Sequence, residues 1–347
     1  MVKPDAVLVV GPSWVGDMVM AQSLFMSLRS QHPAMAIDVI APAWSVGLLG
    51  RMPEVRNAFV LDVKHGELGL RKRWQLAKRL RQQDYQQAII LPRSFKSALV
   101  PFWAKVPVRT GFKTEMRYGL INDLRRLDSG LDQTVKRFVA LGCRQETIPD
   151  ASQCPRPTLN IDAGMARKLR TALNLTTDHP VVGFMPGAEY GPAKQWPVEH
   201  FIQLAKNLAS HGFTVWVFGS GKEESLGQEI ADKAGEHVVN LCGKTRLPDV
   251  IDLISLTRVA ISNDSGLMHI AAATGRPLIA LYGSSSPAFT PPLSEQAHIE
   301  YLNLDCSPCF QRQCRFGHYA CLRDISVEQV LRLVLSAANK PLRHQGH

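Results

Sequence analysis

The sequence predicts an α/β chain built from two doubly wound domains, and three observations carry that prediction. Short apolar runs of strand length alternate with amphipathic stretches along the whole chain. The alternation pauses once, at 145–160, where Pro149, Pro155 and Pro157 fall in a stretch of little periodicity, and then restarts. The 347 residues also divide naturally into two domains of about 150 each.

In the first half, residues 6–10, 37–41, 58–63 and 88–91 read as buried parallel strands. Helices are expected over 17–31, 70–82, 94–105 and 133–141. Strands covered on both faces need continuous apolar runs rather than strict alternation, and these segments supply them. The proline-rich stretch is the expected inter-domain connection. Beyond it a helix is expected over 163–173, and the pattern repeats with strands over 181–185, 214–218, 238–241, 259–262 and 278–281. Helices over 198–211, 223–235, 248–256 and 266–274 lie between them, and a last amphipathic helix covers 326–339. The predicted organisation is 1–160 as the first domain and 161–325 as the second. Residues 326–347 form a C-terminal helix and tail, with the first domain as a surface on which they can pack back. In doubly wound sheets ligands bind at the carboxyl ends of the strands, so the loops there are where chemistry is sought.

Composition narrows the function classes. With 45% hydrophobic residues the chain can bury sizeable cores. No apolar run approaches the 18 or so residues of a transmembrane helix. The N-terminal apolar stretch is too short for a signal peptide, so a cytoplasmic protein is expected. Seven cysteines without an export signal read as reduced thiols or metal ligands. The net charge of +10 is uneven: residues 1–160 hold 23 Lys and Arg against 13 Asp and Glu, and the remainder is balanced. A basic first half suits an anionic partner such as nucleic acid, a membrane surface or a phosphorylated substrate, and equally a soluble Arg-rich face. No nucleic-acid reader motif accompanies it.

Five segments carry candidate chemistry. Gly11-Pro-Ser-Trp-Val-Gly16-Asp17 follows the first strand and opens the first helix, yet is neither a dinucleotide fingerprint nor a P-loop. Asp17 there suits helix capping or a cleft-facing base. The turn-rich loop 185–197 holds Lys194, which can meet a phosphate or simply be exposed. In 262–273 a strand ends and a small-residue helix begins, so the amides of Ser265, Gly266 and Leu267 form a potential diphosphate site, with His269 a turn further on. Gly219-Ser-Gly221-Lys-Glu223-Glu224 offers a carboxylate for ribose hydroxyls or an ordinary acidic helix start. Finally, Cys306, Cys309, Cys314 and Cys321 have a spacing open to a structural zinc site or to packed thiols.

GPSWVGDMVMAQSL, LPRSFKSALVPF, KTEMRYGLINDLRRLD, PGAEYGPAKQWP, SNDSGLMHIAAATGRP and DCSPCFQRQCRFGHYACL occur in the order found in the ADP-heptose:lipopolysaccharide heptosyltransferases. The sequence resembles that family over essentially its entire length, most closely the branch that adds the second inner-core heptose. The resemblance implies a GT-B fold, in which two Rossmann-like domains face each other across a cleft. The first domain would bind the acceptor and the second the nucleotide sugar. It implies inverting transfer from ADP-heptose to a lipid-linked, mono-heptosylated lipopolysaccharide core, with no cofactor required. Asp17 matches the family's base and Lys194 its phosphate-contacting lysine. Asp264, Ser265, Gly266, Leu267 and His269 match its D-[ST]-G-x-x-H donor motif. Gly16, Glu189, Tyr190, Gly221 and one of Glu223 and Glu224 complete the implied donor set. Glu189 and Tyr190 stand where another branch has paired threonines. Arg93, Lys96 and Arg117 are candidates for acceptor phosphates or carboxylates. The implied setting is a monomer at the cytoplasmic face of the inner membrane, with nucleic acid excluded as a partner.

Overall fold

The computed structural model describes residues 6–63, 66–144 and 147–340. The chain divides into two compact units, Met1–Pro157 and Thr158–His347. In the first unit the order is β1 (Ala6–Val10), α1 (Val15–Gln31), β2 (Ala36–Ala41), α2 (Val46–Leu49), β3 (Val55–Val60), α3 (Leu70–Leu80), β4 (Gln87–Ile90), α4 (Leu99–Trp103), β5 (Val108–Phe112), β6 (Asp123–Arg125) and α5 (Thr134–Gly142). The second contains α6 (Ala163–Ala172), β7 (Val181–Met185), α7 (Val198–Ser210), β8 (Thr214–Val217), α8 (Glu224–Ala234), β9 (Val238–Asn240), α9 (Leu247–Ile254), β10 (Val259–Asn263), α10 (Gly266–Ala273), β11 (Leu278–Tyr282), β12 (Ala297–Tyr301), α11 (Ala320–Arg323) and α12 (Val327–Ala338).

Each unit holds one six-stranded parallel sheet, ordered β3-β2-β1-β4-β5-β6 and β12-β11-β10-β7-β8-β9. Counted within its own unit, the second order is the same doubly wound order as the first, read from the other edge. The central strands are apolar throughout: β1 reads AVLVV, β7 VVGFM and β11 LIALY, with β7 and β11 wholly buried. Helix α7 turns Phe201, Ile202, Leu204, Ala205 and Leu208 inward at helical spacing, and the second core forms on that face.

The structure departs from the sequence expectations chiefly at the edges. Strand β3 lies three residues earlier than expected, because Arg56 and Asn57 belong to it. Both side chains reach the buried Asp38 of β2, at 3.0 Å from Arg56 Nε and 3.1 Å from Asn57 Nδ2, so these polar residues are strand residues with a partner. The helix expected over 94–105 is a 3₁₀ turn, Phe95–Ala98, followed by the short α4. Helix α12 packs within the second unit. Its Val327, Val330 and Val334 join the second core, where the helix packs on α7. The tail at 341–347 lies outside the described residues.

Candidate active site

In each sheet the strand order reverses at one place, between β1 and β4 in the first unit and between β7 and β10 in the second. Adjacent loops leave the sheet there in opposite directions and open a crevice at the strand ends. Four of the motif loops emerge at these two points.

In the first unit, β1 hands over to α1 through Gly11, whose N–H donates to Ile40 O at 2.9 Å. A Cβ on Gly11 would meet the flexible end of Met18, Cε, at 2.8 Å and Ile40 O at 3.2 Å, so the loop packs tightly against β2 and α1. Trp14, with extended backbone, occupies the N-cap of α1. Asp17 therefore does not cap the helix through the N-cap position but sits half-buried in its first turn, where the N-terminal dipole favours a carboxylate. Gly16 beside it is buried. From the neighbouring loop after β4, Arg93 is exposed, and Lys96 is half-buried with Nζ 3.2 Å from Glu67 O. Arg117 is a correction. It is 1% exposed, and its guanidinium donates to Pro92 O at 2.8 Å, Phe112 O at 2.6 Å and Ser97 Oγ at 3.3 Å. Burial lowers its pKa. It clamps the loops after β4 and β5 and is spent as a ligand for acceptor anions.

In the second unit, the loop after β7 presents Lys194 from a short 3₁₀ turn, Pro192–Lys194. Nζ lies 2.5 Å from Asp264 Oδ2 and 5.0 Å from the centroid of the Tyr190 ring. Asp264, at the end of β10 and 6% exposed, also accepts from Ser285 Oγ. Asn263 fixes both ends of the lysine loop, accepting from Trp196 N at 3.1 Å and donating to Pro186 O at 2.6 Å. The loop rests in turn on the cysteine segment: Tyr190 Oη donates to Phe310 O at 2.6 Å and Ala193 N to Arg312 O at 3.1 Å. Gly191, at φ +147°, passes so close that a Cβ would stand 2.6 Å from Arg312 O.

The adjoining helix α10 begins at Ser265, which has an extended backbone and makes no side-chain cap bond. Its first amides, at Gly266 and Leu267, lie at a positive helix end suited to phosphate oxygens. His269 is buried within the next turn, and burial pushes its pKa down to about 4 against the pull of Asp264, so the imidazole is neutral at pH 7. The Gly221 loop separates the two acids left open by sequence. Glu223 completes a capping box, accepting from Ser220 N at 2.8 Å and Ser220 Oγ at 2.6 Å. Glu224 is exposed at the start of α8. Glu189 pairs with Lys222 at 2.5 Å on the surface.

Cys306, Cys309, Cys314 and Cys321 are half-buried and form no disulfide, and among the described residues no three His, Cys, Asp or Glu side chains stand as a metal-binding group. Slight burial works upward on the Cys314 thiol, but hydrogen bonds from the amides of Tyr319, Phe316, Gly317 and His318 win and hold its pKa below the ordinary value.

Sequence reasoning missed Asn263, Ser285 and Arg312, which support Lys194 and Asp264. The polar run after β11 was the available sign for Ser285, since β11 pairs with β10. Exposed Trp14 and Trp44, in the loops after β1 and β2, were also missed.

Two Rossmann-ordered units, one with a lysine and a helix N-terminus at its switch point, mark a two-domain α/β enzyme suited to a phosphorylated ligand, and residues 73–320 match Glycosyltransferase family 9 (heptosyltransferase). The chain belongs to this family. It is 47% identical over 303 residues to lipooligosaccharide heptosyltransferase 2 of Haemophilus influenzae, covering 84% of this chain and 87% of that one. It is 43% identical over 334 residues to lipopolysaccharide heptosyltransferase 2 of Salmonella typhimurium, covering 94% and 96%. The solved Escherichia coli ADP-heptose lipopolysaccharide heptosyltransferase II superposes with a TM-score of 0.84 at 42% identity, over 96% of this chain and 98% of that one. The fold is accordingly of the GT-B class.

Proposed function

We propose that this chain is an inverting glycosyltransferase that moves L-glycero-D-manno-heptose from ADP-heptose to the first heptose of the lipopolysaccharide inner core. The observation that carries the reading is near-full-length identity of 43–47% to enzymes named heptosyltransferase 2. An acceptor hydroxyl oxygen forms the new bond to the anomeric carbon, and the bond from that carbon to the ADP oxygen breaks. Asp17 takes the hydroxyl proton. Negative charge grows on the leaving diphosphate, where Lys194 and the amide end of α10 stabilise it. Asp264 does not meet the donor but holds Lys194 in place, with Tyr190 beneath the ammonium. Of the two acids, Glu224 takes the ribose hydroxyls, since the carboxylate of Glu223 is engaged in its capping box. Arg93 and Lys96 remain as cations for the acceptor. The enzyme works at the cytoplasmic side of the inner membrane, where a lipid-linked acceptor presents its sugars.

Turnover of ADP-heptose with acceptors bearing zero, one or two heptoses tests donor and step together. Transfer to the mono-heptosylated acceptor alone is expected. Preference for the unsubstituted core, or for another nucleotide sugar, overturns the reading.

A further inference from the structure

Helix α3 carries an outward face unlike that of an ordinary surface helix. Arg73, Leu76, Ala77 and Leu80 anchor its inner side. On the outer side Leu70 is 49% and Trp74 48% exposed, one turn apart. The cations Arg71, Lys72, Lys78 and Arg79 surround them, and no carboxylate occurs anywhere in residues 70–83. Lys72 is drawn aside to Asp62 at 3.5 Å. Lys78 lies over the Trp74 ring, 4.4 Å from its centroid. The stripe continues to Arg81, whose Nη2 donates to Trp103 O at 2.6 Å. There it opens into a groove of about 390 Å³ lined by Arg81, Phe102, Trp103, Lys105 and Arg109. Phe102 is itself 41% exposed, with the Arg109 guanidinium 5.6 Å from its ring.

We propose that this α3–α4 face docks the protein on an anionic phospholipid bilayer. Rings and cations are interleaved along the stripe rather than gathered into an apolar centre with a polar rim, which is the usual pattern of a protein interface. Interleaving suits the headgroup layer, where tryptophan rings sit at the level of the glycerol backbones and basic side chains reach the phosphates. The charge asymmetry agrees: the first half of the chain holds the entire positive excess. The inference rests on the reading that the acceptor is lipid-linked, and it places the membrane contact on residues outside the transfer machinery. Each basic residue lost from such a surface weakens binding about fivefold.

The test is co-sedimentation of the full chain with vesicles of phosphatidylethanolamine and phosphatidylglycerol, and with phosphatidylcholine vesicles, each first without acceptor and then with the acceptor glycolipid included. The parent is expected to bind the anionic vesicles, to be released by salt, and to ignore phosphatidylcholine. Lys78→Gln with Arg79→Gln is expected to weaken binding roughly 25-fold, and Trp74→Ala to weaken it further, while turnover of a lipid-free acceptor stays at the parental rate. Unchanged vesicle binding by these variants overturns the proposal, as does binding that appears only when the acceptor glycolipid is included. Either result leaves the transferase reading intact, because lipid-free turnover is measured separately and its absence in the parent strikes that reading alone.

Discussion

Asp264→Asn asks whether the donor-side lysine is held by a buried carboxylate. Asp264 is 6% and the Lys194 side chain 17% exposed, and Oδ2 accepts from both Lys194 Nζ and Ser285 Oγ. The amide keeps the volume and one acceptor oxygen but leaves a largely buried ammonium without its counter-charge. Removing one side of a buried pair costs about 3–5 kcal/mol. Water reaches part of Lys194, which puts the expected loss near the lower end, about 3 kcal/mol, or roughly 6–12 °C in Tm for a unit of this size. In the double variant with Lys194→Met no unpaired charge remains, so stability returns to within about 1 kcal/mol of the parent. Activity follows a different order. Asp264→Asn keeps the ammonium but loosens it, and a displacement of about 1 Å at a reacting centre costs about 10²-fold in kcat/KM. The double variant has no ammonium and recovers none of that activity. Urea denaturation of the parent, Asp264→Asn, Lys194→Met and the double variant, and initial rates with ADP-heptose and the mono-heptosylated acceptor, provide both readouts. Parental kcat/KM in Asp264→Asn, or stability losses that simply add in the double variant, would refute the anchoring role.

Three further outcomes are expected. Asp17→Asn lowers kcat by about 10²- to 10⁴-fold, the usual contribution of a general base, with donor KM unchanged; near-parental turnover removes Asp17 from that role. His269 has its pKa lowered from 6.5 to about 4, so the unfolded chain binds a proton that the folded chain refuses, and stability falls as pH drops through that window. The full difference is about 3 kcal/mol, and in His269→Gln, compared with the parent by urea denaturation at pH 7 and at acid pH, that part of the acid sensitivity disappears; equal acid sensitivity in both contradicts it. Arg117→Ala strips buried carbonyls of their donor and costs about 3 kcal/mol at about 1–3 kcal/mol per orphaned group, while acceptor KM holds; a raised acceptor KM with unaltered stability would restore Arg117 to the acceptor site.

The sequence is legible where burial is two-sided and opaque at the sheet edges. The central strands are continuous apolar runs, and their bounds lie within a residue or so of expectation. The edge strands β6 and β12 have a free side in water, so Asp-Leu-Arg and Ala-His-Ile-Glu-Tyr serve and no apolar run marks them. Strand β5 hides for another reason: Val-Arg-Thr-Gly-Phe buries Thr110 completely, because its hydroxyl donates to Asp123 at 2.8 Å and accepts from Gln87 Nε2 at 2.9 Å. The candidate site divides similarly. Loops at strand ends stand out by their turn residues and small-residue helix start. Pairings across the fold do not, for Lys194 and Asp264 are 70 residues apart and only the strand order brings β7 beside β10.

The support beneath the lysine loop has a consequence for how the protein is made. Tyr190 is tied to Phe310, 120 positions later in the chain. During synthesis β7, β8 and β9 emerge long before that partner exists, and even a chain ending after β12 lacks it. The donor-side loop thus gains its final shape only once Phe310 and Arg312 have left the ribosome, so incomplete chains that have already assembled the sheet still lack a finished phosphate grip.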